Sequence, residues 1–235
     1  MNESEAARIR AVYRHYDTSP AEQAKRDPRN AGNLAIQRET RNALARLLGS
    51  LPFSLSEANV LDAGCGAGAM LGWLVTLGCD PARCHGVDLL EDRIATAARR
   101  YPDMDFRWRD ARDLPFGSAS MDLVVCSTLF SSILQPSVAS QVAAEIDRVL
   151  KPGGAVLWHD SRYPNPWNPR VRGYSRKDIQ RLFPAWRIQA RPTTVIPPAV
   201  RRLGGLAPAV YPLLARVPVL QVRYAALILK PGLSG

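Results

Sequence analysis

Short apolar runs alternate with amphipathic stretches over most of this chain. The apolar runs predict strands at 59–63, 84–88, 105–109, 123–127 and 155–159, with two more at 186–195 and 219–229. The intervening stretches predict helices at 69–77, 91–101 and 140–150. Strands that alternate with helices indicate a parallel sheet with right-handed crossovers, and we expect the last two strands to be antiparallel to each other.

The segment before the first predicted strand is helical. Apolar positions at helical spacing predict one helix over 5–16 and a second over 34–48, which Gly49 ends. We therefore predict a helical cap over 1–54 and an α/β domain over 55–235. The predicted fold class is α/β, with a Rossmann-like, doubly wound, mostly parallel seven-stranded sheet and an insertion between the last two strands.

Two segments interrupt the later part of the pattern. The proline-rich loop 163–174 contains aromatic and basic residues that suit a substrate lid, although an ordinary surface loop explains it equally well. The segment 197–218 is rich in Ala, Leu, Val and Pro, and it also contains arginines. It could pack on the sheet, form a homodimer, line a pocket for a lipid-like substrate, or make peripheral contact with an anionic membrane.

The most informative motif spans residues 60–68, where an apolar run ends in Gly64, Gly66 and Gly68 before a predicted helix. Glycine has no Cβ and tolerates positive φ, so such a turn brings bare backbone close to a ligand. Asp88 follows the next predicted strand, where an acidic residue can accept hydrogen bonds from ribose hydroxyls. The spacing is Gly-x-Gly-x-Gly and differs from the Gly-x-Gly-x-x-Gly of dinucleotide-binding proteins, which argues against a dehydrogenase.

This motif, with Asp62 inside it and Asp88 after it, resembles the cofactor loop of class I S-adenosylmethionine-dependent methyltransferases. Segments of the same resemblance follow in the family's order at 109–116, 121–125 and 150–154. The resemblance implies S-adenosylmethionine as cofactor, and it implies a role for each matching residue. Asp62 would orient the loop or meet the amino group, Asp88 would hold the ribose, and Leu89 would pack on the adenine. The residues implied to bind the cofactor are Asp62, Gly64, Cys65, Gly66, Gly68, Asp88, Leu89, Asp110, Ala111, Cys126, Ser127 and Tyr16.

Several of these residues also have structural interpretations. Asp88 could cap the following helix, and Asp110 could be a turn residue. We predict His159 as a general base, because it follows the fifth strand and its ordinary pKa suits neutral pH, with Asp160 orienting it or acting itself. A histidine that only satisfies a loop carbonyl is an equal alternative. The predicted substrate-binding residues are Tyr13, Tyr163, Trp167, Arg170, Arg172 and Tyr174.

Composition limits the partners. The 235 residues have a formal net charge of +10, yet no motif typical of nucleic-acid binding is present, so nucleic acid is the minority hypothesis. The four cysteines lack the spacing of metal ligands or of a disulfide framework, and we expect reduced thiols and no metal. Neither a secretory signal nor a membrane-spanning run is evident, which predicts a cytoplasmic protein.

Together these features predict an enzyme that transfers a methyl group from S-adenosylmethionine to a hydroxyl or amine of a small molecule, such as a glycosylated natural product or a saccharide or lipid-linked precursor. The alternatives are a methyltransferase for RNA or protein, and a protein that binds the cofactor without catalysis. The tetrapeptide Cys126-Ser127-Thr128-Leu129 stands where adenine- and glutamine-directed enzymes have an Asn-Pro-Pro-Tyr type motif, which argues against those acceptors.

Overall fold

A computed structural model describes residues 3–165 and 168–232 of the chain. Its strands are β1 Val60–Ala63, β2 Cys84–Asp88, β3 Asp105–Trp108, β4 Met121–Ser127, β5 Leu150–Ser161, β6 Arg187–Val195 and β7 Gln221–Leu229. Its α-helices are α1 Glu3–Thr18, α2 Pro20–Ala24, α3 Ala31–Leu48, α4 Ala69–Val75, α5 Glu91–Arg100, α6 Pro136–Val149, α7 Arg176–Leu182, α8 Pro197–Arg202 and α9 Ala207–Leu214. The strand and helix pattern of the sequence is therefore confirmed.

All seven strands form one sheet in the order β3-β2-β1-β4-β5-β7-β6. The first five strands pair in parallel, whereas β7 lies antiparallel between β5 and β6. Asp62 of β1 lies in register with Gly86 of β2 on one side and with Val125 of β4 on the other. The carboxyl ends of these three strands therefore meet at one edge of the sheet, where ligands bind in open α/β folds.

Helices cover both faces of the sheet. Along β4, Val124 and Cys126 pack into the core on the face of α6, while Leu123 and Val125 pack into the core on the face of α3 and α4. Each of these four side chains is almost completely buried, as expected for a central strand of a parallel sheet. This two-sided burial fixes the sheet and the turns at its carboxyl edge.

The structure differs from the predicted 1–54 cap at α3. Leu44, Leu47 and Leu48 are buried in the same core as Val60 of β1, so α3 is one of the helices that cover the sheet. The sequence predicted the helix itself, but helical spacing does not show what an apolar face packs against. Within the described part of 1–54, the segment that lies over the carboxyl edge is α1.

We expect Leu44→Ala to lower the free energy of unfolding by about 2–5 kcal/mol, the usual cost of truncating a fully buried leucine. Leu34→Ala on the same helix is the matched control, because Leu34 is 50% exposed, and it should change stability by less than about 0.5 kcal/mol. Urea unfolding followed by circular dichroism measures both. Equal effects of the two substitutions would mean that α3 does not pack on the sheet.

The 197–218 insertion packs against α3. Val200 of α8 and Tyr211 of α9 are buried with Ala35 of α3 in a small apolar cluster. A Cβ at Gly32 would lie 2.5 Å from the carbonyl oxygen of Val200, so this close approach of α3 and α8 requires glycine. One side of the insertion is thus part of the protein interior.

The described helices and side chains bear on the predictions made for membrane and metal contacts. None of the helices described is long and apolar enough to cross a membrane. Over 3–165 and 168–232, no cluster of three or more His, Cys, Asp or Glu side chains is placed to hold a metal ion. The four cysteines are buried and free.

Candidate active site

The turn after β1 has the backbone conformation that its glycines predict. Gly64, Gly66 and Gly68 have φ values of +80°, +53° and +78°, which is a region that residues with a Cβ rarely adopt. The backbone amides of Gly64 and Cys65 both donate to the carbonyl oxygen of Val87, at 2.8 and 2.9 Å. These bonds fasten the turn to the end of β2.

A cavity of about 340 Å³ opens above this turn, which is within the size range of small-ligand sites. Nine of the residues predicted to bind a cofactor line it: Asp62, Gly64, Cys65, Gly66, Asp88, Leu89, Asp110, Ala111 and Ser127. The predicted substrate residue Tyr13 lines it as well. The folded chain therefore brings together, around one space, residues that are up to 114 positions apart in the sequence.

Asp62 is the least solvated charged group in the cavity wall. Its side chain is 1% exposed, and its Oδ1 atom has no hydrogen-bond partner in the described structure. Burial raises the pKa of Asp62 to about 8, and the negative charge of Asp88 adds to the rise. An unpaired carboxylate at this depth is costly unless a cation or a donor approaches it, so the site favours a ligand with a positive group.

Asp88 is held in place by backbone amides. Its Oδ2 accepts a hydrogen bond from Gly66 at 2.8 Å, and its Oδ1 accepts one from Leu90 at 2.9 Å. The bond from Leu90 ties Asp88 to the residue before α5, but it does not cap the first turn of that helix, whose N-cap residue, Leu90, has no side-chain cap. A carboxylate offers about four acceptor positions, so two remain for a ligand such as a ribose diol.

Asp110 has the turn role that the sequence left open, and it also lies in the cavity wall. Its Oδ1 accepts from the backbone amide of Arg112 at 2.9 Å, which is a turn of the Asx type, and the Arg112 guanidinium pairs with its Oδ2 at 2.6 Å. Both side chains, with Ala111 between them, line the cavity. The Asp110–Arg112 ion pair was not predicted, although an arginine two positions after an aspartate is a visible signal for it.

The roof of the cavity is α1. Its residues Glu5, Ala6, Ile9 and Tyr13 line the space from above. Glu5 accepts a hydrogen bond from the Leu134 amide at 2.7 Å, and the Tyr13 hydroxyl lies 2.7 Å from Ser132 Oγ. The sequence predicted the apolar face of α1 but not Glu5, since the partner of this carboxylate comes from the loop after β4.

Comparison with known proteins identifies the part of the chain that builds this cavity wall. The model of the methyltransferase domain family matches residues 60–154, which span the glycine turn, Asp88, Asp110 and β4. Residues 60–154 of this chain form a class I methyltransferase domain. The cofactor of this class is S-adenosylmethionine, and the unpaired Asp62, the glycine turn and the two free acceptor positions of Asp88 fit its ammonium group, its chain and its ribose.

The methyltransferase domain is similar to enzymes of several kinds. A phthiotriol/phenolphthiotriol dimycocerosates methyltransferase of Mycobacterium ulcerans is 38% identical over 113 residues, which is 47% of this chain and 40% of that protein. A fatty-acid O-methyltransferase of Mycolicibacterium smegmatis is 37% identical over 44% of this chain and 37% of that protein. The chain spans about half the length, or less, of the curated relatives it matches.

The fold similarity extends further along the chain. Geranyl diphosphate C-methyltransferase of Streptomyces coelicolor superimposes with a TM-score of 0.66 over 97% of this chain and 98% of that one, at 15% identity. At this identity the comparison supports the fold alone. It includes the helices before β1 and the antiparallel β6–β7 pair, which lie outside the matched methyltransferase domain model.

The structure does not bring three predicted cofactor residues to the cavity. Gly68 lies at the start of α4, where a Cβ would be 3.0 Å from the rings of Tyr101 and Phe106, so it is needed for packing. Cys126 is completely buried in the core on the α6 face, because alternate residues of β4 point to opposite faces. Tyr16 accepts a hydrogen bond from Asn168 at 2.9 Å and joins α1 to the 163–174 loop.

The two predicted catalytic side chains also lie outside the cavity wall. His159 is 6% exposed, its Nε2 has no partner among the described residues, and burial together with the charge of Arg223 holds its pKa well below the usual value. Asp160 is fully buried and accepts the amides of Ser131 and Ser161 at 2.9 and 2.7 Å. Asp160 therefore fastens the loop after β4 that carries Ser132.

The predicted lid residues fall into different environments. Tyr174, predicted to bind substrate, is 1% exposed, does not line the cavity and packs against Phe130 and Trp158, and burial raises its pKa to about 12. Tyr163 and Arg170 are exposed, and the Arg172 guanidinium lies over the Tyr174 ring. Trp167 lies outside the described residues.

Residues that the sequence did not single out complete the site. Thr128 and Leu129 follow Ser127 in the cavity wall, and Thr128 has a positive φ of +58°. Its amide donates to the carbonyl oxygen of His159 at 2.9 Å, which holds this strained residue in place. A threonine in this conformation leaves no signal in the sequence.

Proposed function

We propose that this chain transfers the methyl group of S-adenosylmethionine to an oxygen, or secondarily a nitrogen, of a small molecule with an apolar body. The observation that carries the proposal is the pair of buried carboxylates, Asp62 and Asp88, on either side of a glycine turn with positive φ. This arrangement suits a cationic nucleoside better than a dinucleotide, which would bring a negatively charged pyrophosphate to the turn.

Each end of the cofactor has a distinct partner in this proposal. Asp62 receives the ammonium group, Asp88 holds the two ribose hydroxyls with its remaining acceptor positions, and Leu89 packs on the adenine. Asp110 and the Ala111 amide lie at the adenine edge. When bound, S-adenosylmethionine supplies an activated methyl group on a sulfonium, which is a good leaving group. The protein's contribution is then alignment and exclusion of water by the α1 roof.

The titratable side chains of the cavity wall indicate how the acceptor atom becomes a nucleophile. Among the described lining residues, Glu5 is occupied by Arg8 and the Leu134 amide, Asp110 is paired with Arg112, and Asp62 and Asp88 are assigned to the cofactor. With His159 outside the wall, the described lining offers no carboxylate or imidazole that is free to act as a general base. We therefore infer that the acceptor oxygen ionises readily by itself, as a carboxylate or an acidic hydroxyl does, or that an amine attacks as its free base.

The relatives support a small, apolar acceptor. Their printed names refer to phthiotriol and phenolphthiotriol dimycocerosates, demethylmenaquinone and fatty acids. The finer proposal of a glycosylated or lipid-linked acceptor depends on the 163–174 loop. Its exposed residue Arg170 would contact an anionic group, and the exposed Tyr163, which pairs with Arg162, would contact a sugar ring. In this proposal Tyr13, which lines the cavity, contacts both the cofactor and the acceptor.

Turnover with a radiolabelled methyl group tests the proposal. The purified chain is incubated with S-adenosylmethionine and, separately, a long-chain fatty acid, a quinol, a primary amine and bulk RNA. Label in the fatty acid or quinol supports the proposed acceptor class, and label in RNA would replace it with a nucleic-acid substrate. Tight binding of S-adenosylhomocysteine with no turnover on any acceptor would favour the non-catalytic alternative.

We expect His159→Gln to leave kcat within about threefold of the original chain, since a side chain outside the cavity cannot take a proton from the acceptor. The dependence of kcat on pH should also be the same in His159→Gln as in the original chain. A loss of about 100-fold or more in kcat, the usual contribution of a general base, at unchanged stability and cofactor affinity would instead restore His159 as the base. The matched control is His85→Gln, on β2, whose ring is paired with Asp105 at 3.1 Å.

A further inference from the structure

The last quarter of the chain has an unusual charge composition. Residues 179–235 include no aspartate or glutamate, and they include eight of the 31 cationic residues of the chain. This stretch forms β6, α8, α9 and β7. Nearly all of the net charge of +10 is therefore contributed by one contiguous part of the fold.

Within this stretch, α9 is apolar on all of its sides. Ala207, Tyr211 and Leu214 pack inward on the cluster that joins the insertion to α3. On the opposite side, Leu206 is 66% exposed and Leu213 is 61% exposed. A surface helix of a water-soluble domain normally turns polar residues outward, so these leucines require an explanation.

The exposed leucines belong to a larger apolar face. Val217 and Val219 follow α9 and are 42% and 71% exposed, so four of the eight exposed large hydrophobic residues in the described structure fall within 206–219. Leu206, which directly precedes α9, and Leu213 are seven positions apart, the spacing of one side of a helix. We call this surface the 206–219 face.

Two exposed arginines accompany the leucines and valines of the 206–219 face. Arg202 precedes it and Arg216 lies within it, and among the described residues neither has an ion-pair partner. Unpaired guanidinium groups beside exposed leucines match the two layers of a membrane surface, in which anionic headgroups lie above acyl chains. A second copy of the chain fits less well, because a twofold contact across this face would bring like charges together with no carboxylate to pair them.

We propose that the 206–219 face docks the protein on the surface of an anionic lipid bilayer, with Leu206 and Leu213 inserted among the acyl chains. The two arginines bind the headgroups and set the orientation. The docking is peripheral, since α9 spans only eight residues and cannot cross a bilayer. The inference does not depend on the identity of the methyl acceptor.

Vesicle flotation with the full chain tests the proposal. One set of vesicles contains phosphatidylcholine alone, and the other contains phosphatidylcholine with about one third phosphatidylglycerol. We expect the protein to float with the anionic vesicles at least tenfold more strongly than with the neutral ones, and high salt should reduce the difference. Absence of binding to both kinds of vesicle would overturn the proposal.

Matched variants distinguish the apolar and the charged contributions. Leu206→Ser with Leu213→Ser should abolish flotation, whereas Leu77→Ser, at a residue that is 39% exposed elsewhere on the surface, should leave it unchanged. Arg202→Gln with Arg216→Gln should weaken binding to anionic vesicles about thirtyfold, from the usual contribution of two cations near a charged surface. Unchanged flotation in both double variants would refute the assigned face.

Two further measurements distinguish membrane docking from misfolding and from dimerisation. Affinity for S-adenosylhomocysteine, measured by titration calorimetry, should be the same in all of these variants, which shows that they are folded. Sedimentation velocity without lipid should give a monomer. A dimer that disappears in Leu206→Ser with Leu213→Ser would mean that a second copy occupies the 206–219 face, and the membrane proposal would then be wrong.

Discussion

Asp88→Ala is expected to weaken binding of S-adenosylhomocysteine by at least about 100-fold. The carboxylate is 7% exposed, and it has two acceptor positions left after its bonds to Gly66 and Leu90. Each hydrogen bond from a ribose hydroxyl to a charged acceptor contributes about 1.5–3 kcal/mol, so loss of the pair corresponds to a factor of roughly 100 or more. Titration calorimetry with S-adenosylhomocysteine measures this directly.

The substitution also removes the bond from Asp88 to the Gly66 amide, so part of the loss reflects a looser turn. Asp88→Asn separates the two effects, because an amide oxygen can still accept from one backbone donor but supplies no negative charge for the diol. Asp92→Ala, at an exposed position in the first turn of α5, is the matched control and should bind normally. Unchanged affinity in Asp88→Ala would show that the ribose lies elsewhere.

The part of the site that the sequence predicts well is the part built from local structure. Gly64 and Gly66 specify a turn of positive φ without reference to the rest of the fold, and the strand pattern places Asp88 at the same edge of the sheet. The resemblance to methyltransferases rests on these same residues. Most of the residues whose positions follow from the local turn and strand pattern therefore line the cavity.

The errors concern side chains whose orientation is decided by tertiary packing. Cys126 and Ser127 are neighbours on β4, and only the packing of α6 determines which of them is buried. Tyr174 follows a polar, proline-rich loop, but a cluster of aromatic side chains around Phe130 draws it into the core. His159 ends an apolar run in the sequence, yet it lies within β5, is buried and does not line the cavity.

The same distinction applies to the helices. The apolar spacing of α3 predicts a helix with one buried face, but the chain before β1 could reach either the sheet or the site opening. Burial of Leu44 against the sheet resolves this for α3, while the contact of Tyr13 with Ser132 places α1 over the cavity. Tyr13 and Ser132 are more than 100 positions apart in the sequence, so no local pattern predicts their contact.

Asp62→Asn is expected to stabilise the protein and at the same time to weaken cofactor binding. The folded-state pKa of about 8 is well above the value near 4 of an unfolded chain, so the folded state retains a proton that the unfolded state has released. The stability that this group contributes is complete below pH 4 and is lost as the pH rises through 8, at about 1.4 kcal/mol for each pH unit. Asp62 therefore lowers the free energy of unfolding by several kcal/mol near pH 8, relative to its value below pH 4.

An asparagine at this position does not ionise, so the stability difference between Asp62→Asn and the original chain should grow between pH 5 and pH 8. Urea unfolding at several pH values measures it, and taking the difference at each pH removes most of the contribution of other titrating groups. Asp122→Asn is the matched control at the opposite end of the neighbouring strand. Asp122 is paired with Lys151 at 2.8 Å and accepts the Asn59 amide, so its loss should destabilise the protein at neutral pH.

The affinity should change in the opposite direction from the stability. A ligand ammonium beside Asp62 favours the ionised carboxylate, so Asp62→Asn should bind S-adenosylhomocysteine about 10- to 100-fold more weakly at pH 7.5. In the original chain, binding near neutral pH should release protons, which calorimetry in buffers of different ionisation enthalpy detects. If Asp62→Asn is destabilised equally at pH 5 and pH 8, the carboxylate has a partner inside the protein and is not waiting for a cation. If Asp62→Asn is more stable and binds S-adenosylhomocysteine more weakly, the burial of Asp62 lowers the stability of the protein and raises its affinity for the cofactor.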